Sequence, residues 1–168
     1  FPALAIAESL KKKGIQDIYF AGRANSMEQR LVSPHWPFYE MTAEPLRRGS
    51  FVRNLALPFK LSKSLIHAKR LIQQINPDVI VATGGYVSFP IVLAAGRLGK
   101  PIYIQEQNAV AGVANKYGSR YASMIFVTSE DAVKAFQHPN VKVLGNPVRE
   151  LPAVETLARP ADYSKDKK

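Results

Sequence analysis

The 168-residue sequence contains no cysteine, which excludes a disulfide scaffold, a thiolate zinc site and a cysteine nucleophile. No apolar run reaches the roughly 18 to 20 residues of a membrane-spanning helix. We expect no signal peptide either, because the first residues already belong to an amphipathic helical pattern. With 46% hydrophobic and 21% charged residues, the composition is that of a globular chain. The sequence therefore predicts a soluble α/β domain.

Acidic residues are also missing from the long window between Pro45 and Pro77. Seven basic residues in this window carry +7 of the formal net charge of +10. Bulky apolar residues alternate with them, and the mixed group contains Phe51, Arg53, Leu55, Phe59, Lys60 and Lys63. Such a mixture favours a surface that binds anionic lipid headgroups, although a solvated helix face with its apolar side in the core is the alternative. We expect no nucleic acid as partner, because helix-turn-helix, zinc-finger and aromatic-platform patterns are absent.

Short apolar runs alternate with segments of helical period, which predicts a doubly wound parallel sheet covered by helices on both faces. The predicted helices are 1–13, 26–32, 62–75, 87–98, 111–121 and 130–136. The predicted strands are 17–21, 38–41, 78–82, 101–105, 124–128 and 141–144. A fold of this type normally begins with a central strand and a phosphate-binding loop, whereas this chain begins with a helix. We therefore expect that strand and loop to be missing from a domain at 1–150, with a linker at 151–168.

Two of the predicted strands are followed directly by residues that could bind a ligand. The paired glycines Gly84 and Gly85 allow positive φ angles, and the helix that follows them favours an anion at its N-terminus. A tight turn would explain the glycine pair equally well. After the next strand come four polar residues, Gln105-Glu106-Gln107-Asn108, which cannot all face the core. Glu106 is a candidate acid or base, and a solvated loop is the alternative.

The last predicted strand ends in a similar loop, Gly145-Asn146-Pro147-Val148-Arg149. Its arginine can bind a phosphate or a carboxylate through two hydrogen bonds. Because the carboxyl ends of parallel strands share one edge of the sheet, the three loops together predict a ligand cleft there. The three histidines are scattered without metal-ligand spacing, so no metal site is expected.

In order and spacing, these loops resemble the MurG family of peptidoglycan N-acetylglucosaminyltransferases. The matching stretches are Gly84-Gly85-Tyr86-Val87-Ser88, Glu106-Gln107-Asn108-Ala109-Val110-Ala111-Gly112 with Asn115-Lys116, and Gly145-Asn146-Pro147-Val148-Arg149. The first five residues, Met27-Glu28 and Leu46-Arg47-Arg48-Gly49 resemble the N-terminal half of the same family. The resemblance extends over residues 1–150.

The resemblance implies one half of a two-domain, GT-B-type glycosyltransferase without the first strand, its glycine loop and the C-terminal donor-binding domain. The family transfers N-acetylglucosamine, with inversion, from UDP-N-acetylglucosamine to lipid I at the cytoplasmic face of the bacterial plasma membrane. The product is lipid II, a peptidoglycan precursor. No cofactor and no metal are implied, and we expect this chain alone to be inactive.

The same resemblance implies roles for individual residues. Gly84, Gly85, Tyr86 and Ser88 would bind the acceptor diphosphate, and Glu106 would orient the acceptor hydroxyl or accept its proton. Asn108 and Arg149 would bind the donor across the cleft. The alternatives are another GT-B-type sugar transferase, half of a UDP-sugar epimerase, or a non-catalytic basic α/β binding module.

Overall fold

The computed structural model describes residues 2–42 and 57–148. Predictions on Phe51, Arg53, Leu55 and Arg149, on the side chains of Phe59 and Lys60, and on the 151–168 linker lie outside what it describes.

Helices and parallel strands alternate along the described chain, as the sequence predicts. The helices are α1 Pro2–Lys12, α2 Met27–Val32, α3 Leu57–Ile75, α4 Ser88–Arg97, α5 Val113–Gly118 and α6 Glu130–Val133, with a 3-10 turn at Ser119–Tyr121. The strands are β1 Phe20–Gly22, β2 Phe38–Glu40, β3 Ile80–Ala82, β4 Ile102–Glu106, β5 Met124–Val127 and β6 Val141–Val143.

The strands form two parallel sheets rather than one. β1 pairs with β2, and a four-stranded sheet has the order β3-β4-β5-β6. Within residues 2–42 and 57–148, no strand pairs with β3 on the side away from β4.

Several element boundaries differ from the predicted ones. β1 begins at Phe20 rather than at residue 17, and α3 begins at Leu57 rather than at residue 62. α5 begins only after Gly112, because the amide of that residue donates to a side chain of the preceding strand. α6 ends early because the amide of Phe136 donates to the carbonyl three residues back, which makes a turn instead of an α-helix.

One apolar layer joins the two sheets. Ile104 of β4 and Ile125 of β5 are fully buried, and the same cluster contains Ala68 of α3 and Met41, which follows β2. Burying an isoleucine side chain contributes about 1.5 to 3 kcal/mol. A second, smaller cluster lies under α1 and α2, around Trp36. The main core thus supports the carboxyl ends of β3, β4 and β5, where the candidate site lies.

Candidate functional site

The loop after β3 has the backbone that its glycines predict. Gly84 has a φ of +91° and Gly85 a φ of +81°, a region that residues with a side chain rarely adopt. The loop leads into α4, and no side chain caps that helix at Val87. The Ser88 hydroxyl donates to the Gly85 carbonyl at 2.8 Å and holds the loop against the helix. The loop therefore combines glycine backbone with a helix N-terminus, an arrangement that favours anions.

Glu106 lies at the end of β4, with 1% of its surface exposed. Its Oε1 accepts hydrogen bonds from the backbone and side-chain amides of Asn108, both at 3.0 Å. Its Oε2 accepts from the Gly112 amide at 2.8 Å and from Asn115 Nδ2 at 3.0 Å. Two carboxylate oxygens offer about four lone-pair sites, and four N–H donors occupy them. The side chain thus fixes the loop that runs from β4 to α5.

Gln105 is also buried, at 3% exposure, so two of the four consecutive polar residues lie inside the protein. The prediction that the four cannot all face the core holds, since Asn108 is exposed. The solvated-loop alternative is wrong for Gln105 and Glu106, because hydrogen-bond partners within the protein replace water around both.

Polar side chains tie the predicted loops together at one edge of the sheet. Asn115, 2% exposed, donates from Nδ2 to the Gln105 carbonyl at 3.4 Å as well as to Glu106. A Cβ atom added to Gly84 would lie 3.2 Å from the same nitrogen. Gln105 Nε2 donates to the Gly145 carbonyl at 3.4 Å, which reaches the loop after β6. The predicted convergence of the three loops is confirmed.

Sequence reasoning gave no role to Asn115 or Gln105. The spacing of Asn115 and Gly118 on α5 could have indicated that Asn115 is buried. Residues three positions apart share one face of a helix, and here that face packs inward. A buried asparagine needs hydrogen-bond partners, and Glu106 offers an acceptor. Of the other predicted residues, Tyr86 is partly buried in the glycine loop.

Two polar atoms near this edge are buried and lack a hydrogen-bond partner within the described part of the chain. They are Gln107 Oε1, just after β4, and Ser129 Oγ, just after β5.

Within the described part of the chain, no group of three or more His, Cys, Asp or Glu residues could hold a metal ion. Among the helices of residues 2–42 and 57–148, none is long and apolar enough to cross a membrane.

A second concave surface lies between α3 and α4. It has a volume of about 260 Å³ and is lined by Leu65, Ile66, Lys69, Ala94, Arg97 and Leu98. Ile66 is 52% exposed, and Lys69 and Arg97 are exposed beside it. We call this surface the basic pocket. Lys63 lies one helical turn before Ile66 on α3, which extends the positive charge along the same face.

Parallel strands that alternate with helices along the chain define a Rossmann-like domain. Residues 1–127 match the glycosyltransferase family 28 N-terminal domain, and the chain belongs to this family. A crystal structure of Acinetobacter baumannii MurG superposes with a TM-score of 0.73 at 34% identity, covering 89% of this chain and 43% of that one. A putative UDP-N-acetylglucosamine 2-epimerase from Listeria monocytogenes, at 15% identity and a TM-score of 0.66, shares the fold.

Two curated relatives carry the same name, UDP-N-acetylglucosamine–N-acetylmuramyl-(pentapeptide) pyrophosphoryl-undecaprenol N-acetylglucosamine transferase. The protein from Neisseria gonorrhoeae is 41% identical over 150 residues, and the one from Salinibacter ruber is 38% identical over 152 residues. Each match covers 89% of this chain and 41% of the relative. The chain thus spans about two fifths of the length of these relatives, and the resemblance to the MurG family is confirmed.

Proposed function

We propose that this chain is the acceptor-binding half of an inverting N-acetylglucosaminyltransferase that converts lipid I to lipid II. The observation that carries the proposal is the glycine loop at the start of α4, which lies next to Asn115, the residue that also donates to Glu106. Family membership and the names of the relatives supply the substrates.

The reaction needs a hydroxyl to attack the anomeric carbon of N-acetylglucosamine while UDP leaves from the opposite face. The new bond joins the acceptor oxygen to that carbon, the bond to the UDP oxygen breaks, and the hydroxyl proton passes to a base. Gly84, Gly85, Tyr86 and Ser88 would hold the acceptor diphosphate, since backbone amides and the α4 dipole offset its charge. Asn108 and Arg149 would contact the donor substrate, UDP-N-acetylglucosamine. Stabilising the negative charge that develops on the leaving UDP would contribute most to lowering the activation free energy.

The basic pocket supports a peripheral position on the cytoplasmic face of an anionic membrane. Apolar side chains and basic groups lie side by side there, as a surface on lipid headgroups requires. α4 has 10 residues, so about 15 Å separates the glycine loop at its start from Arg97 at its end. A lipid-linked diphosphate could therefore reach the glycine loop while its chain stays in the bilayer.

The test is transfer of labelled N-acetylglucosamine from UDP-N-acetylglucosamine to lipid I by a full-length protein that contains this chain. We expect Tyr86→Ala to lower kcat/KM for lipid I by about tenfold or more, the equivalent of one hydrogen bond to a charged group. Tyr19→Ala is the matched control, because Tyr19 lies before the amino end of β1 in the two-stranded sheet, whereas the glycine loop follows the carboxyl end of β3.

Equal activity of Tyr86→Ala and Tyr19→Ala would contradict the role of the glycine loop. Conversion of UDP-N-acetylglucosamine without any lipid acceptor would instead favour the epimerase alternative. The 168-residue chain alone should show no transfer.

A further inference from the structure

We propose that Asn115 is a positioning residue that couples the glycine loop after β3 to the loop after β4, and that Glu106 anchors this coupling instead of accepting the acceptor's proton. The coupling is a property of this chain by itself. Its consequence for catalysis rests on the proposed function.

The first argument concerns the hydrogen bonds of Glu106. Four N–H groups already converge on its two oxygens at 2.8 to 3.0 Å, and 1% of the residue is exposed. A substrate hydroxyl could bond to this carboxylate only by displacing one of those donors. The displaced donor would then be a buried amide without a partner, which is costly. The geometry suits a group that holds a loop in place.

The second argument concerns the amide of Asn115. Its two N–H bonds have different acceptors, Glu106 Oε2 at 3.0 Å and the Gln105 carbonyl at 3.4 Å. The same nitrogen lies against Gly84, where even a methyl group would be within 3.2 Å. A shift of Asn115 would therefore change both the Glu106 anchor and the backbone at Gly84. In the proposed function, that backbone holds the acceptor diphosphate.

The third argument concerns the residue type at position 115. Aspartate has nearly the same shape as asparagine, but it would place a second carboxylate 3.0 Å from Glu106 Oε2 in a buried site. Like charges at that distance repel strongly where water is excluded. Asn115→Asp thus removes the coupling while leaving the volume of the side chain almost unchanged.

The first experiment measures amide hydrogen exchange by NMR in the 168-residue chain. We expect Asn115→Asp to speed exchange at the Asn108 and Gly112 amides by about tenfold or more, because both donate to Glu106. The amide shifts of Gly84 and Gly85 should change as well. The Ile125 amide, which bonds to the Asn140 carbonyl in the four-stranded sheet, should keep its protection and so report that the fold is intact. If Asn115→Asp does not fold, Asn115→Ala serves the same measurement.

The matched control is Asn140→Asp. Asn140 also donates its side-chain amide to a backbone carbonyl, at Ser123, but it is exposed and lies outside the coupled loops. This variant should leave exchange at Asn108 and Gly112 unchanged. Equal effects of the two substitutions would overturn the proposal.

A swap tests the pair directly. In the double variant Glu106→Gln/Asn115→Asp, the new glutamine can donate to the new aspartate and still accept from the Asn108 amide. Protection of the Asn108 amide should therefore recover toward the wild-type value. The Gly112 amide now faces the NH₂ group of the glutamine, so its hydrogen exchange should remain fast. No recovery at Asn108 would overturn the proposal.

The catalytic consequence is tested in a full-length protein that contains this chain. Glu106→Gln should raise KM for lipid I while the pH dependence of kcat keeps its shape. Loss of the acidic limb of that profile with an unchanged KM would show that Glu106 is the base and overturn the second part of the proposal. Absence of transfer in the unmodified full-length protein would defeat the proposed function, whereas the exchange results on the coupling would stand.

Discussion

Gly84 and Gly14 have the same φ of +91°, but their surroundings differ. A side chain at Gly14 would meet nothing within 4 Å, whereas one at Gly84 would begin 3.2 Å from Asn115 Nδ2. At Gly14 the glycine serves only the backbone conformation at the end of α1. At Gly84 it also leaves room for the asparagine that holds the adjacent loop.

We predict that Gly14→Ala lowers the free energy of unfolding by about 1 to 2 kcal/mol, the usual cost of a left-handed alanine. Gly84→Ala should cost more, because it adds the contact with Asn115. Urea denaturation measures both values. In an Asn115→Ala background the excess cost at Gly84 should shrink, and an equal cost of the two alanines in the wild-type background would show that the contact is unimportant.

The sequence predicted the position of these residues where an apolar run is followed directly by glycines or by several polar residues. The paired glycines and the run of polar residues marked Gly84, Gly85 and Glu106 correctly as neighbours in one edge of the sheet. The sequence did not show that both carboxylate oxygens of Glu106 already accept two hydrogen bonds each. The four donors are two backbone amides and two side-chain amides that the loop brings together. The resulting bonds depend on tertiary geometry that no local pattern contains.

At the scale of elements, glycines determine how closely α4 approaches the segment after α5. A Cβ atom at Gly96 would lie 2.5 Å from Cδ1 of Tyr121, and one at Gly118 would lie 3.0 Å from Val92. The tyrosine ring therefore occupies the space of the missing side chain on α4. This contact helps to hold α4, and with it the glycine loop at the start of that helix, on the sheet.

We predict that Gly96→Ala lowers the free energy of unfolding by about 1 kcal/mol net. The steric cost of overpacking is about 1 to 3 kcal/mol, and the better helix propensity of alanine offsets about 1 kcal/mol of it. In a Tyr121→Ala background Cγ and Cδ1 are gone and only the Cβ contact at 2.9 Å remains, so the same substitution should cost less. Thermal or urea unfolding of the four variants measures this difference, and an unchanged cost would contradict the packing argument.

The order of elements was predictable because short apolar runs and period-3.6 patterns alternate along this chain. Their ends were less predictable. Ile18 and Tyr19 are residue types that favour strands, but pairing with β2 begins only at Phe20. The division of the described strands into two sheets was not predicted, because local patterns do not specify which strands pair.

At the scale of the whole molecule, +7 of the net charge of +10 falls between Pro45 and Pro77, and four of these basic residues belong to α3. The basic pocket places Lys69 and Arg97 from two different helices around the exposed Ile66. Basic residues on one face of a protein, with apolar side chains exposed among them, are the properties that bind a peripheral protein to an anionic bilayer.

We predict that reversing Lys63, Lys69 and Arg97 to glutamate weakens binding to phosphatidylglycerol-containing vesicles. The loss should be about 3 kcal/mol or more, at about 1 kcal/mol for each basic residue near the membrane surface. Co-sedimentation with vesicles at low and high salt measures it. The control with the same change in charge reverses Lys13, Arg30 and Lys142, which are exposed elsewhere. Equal losses in the two variants would mean that net charge, and not the basic pocket, governs binding.

The edge of β3 that faces away from β4 has a consequence for how this chain behaves in concentrated solution. Among residues 2–42 and 57–148, no strand pairs with β3 on the side away from β4, and Val79 and Val81 are 48% and 40% exposed there. An unpaired strand edge with exposed valines is a template onto which another copy can add a strand. Self-association of this kind would sediment without lipid, so a lipid-free centrifugation belongs beside every vesicle measurement. A peptide with the short apolar run of a buried parallel strand, added in trans, is a direct means of blocking that edge.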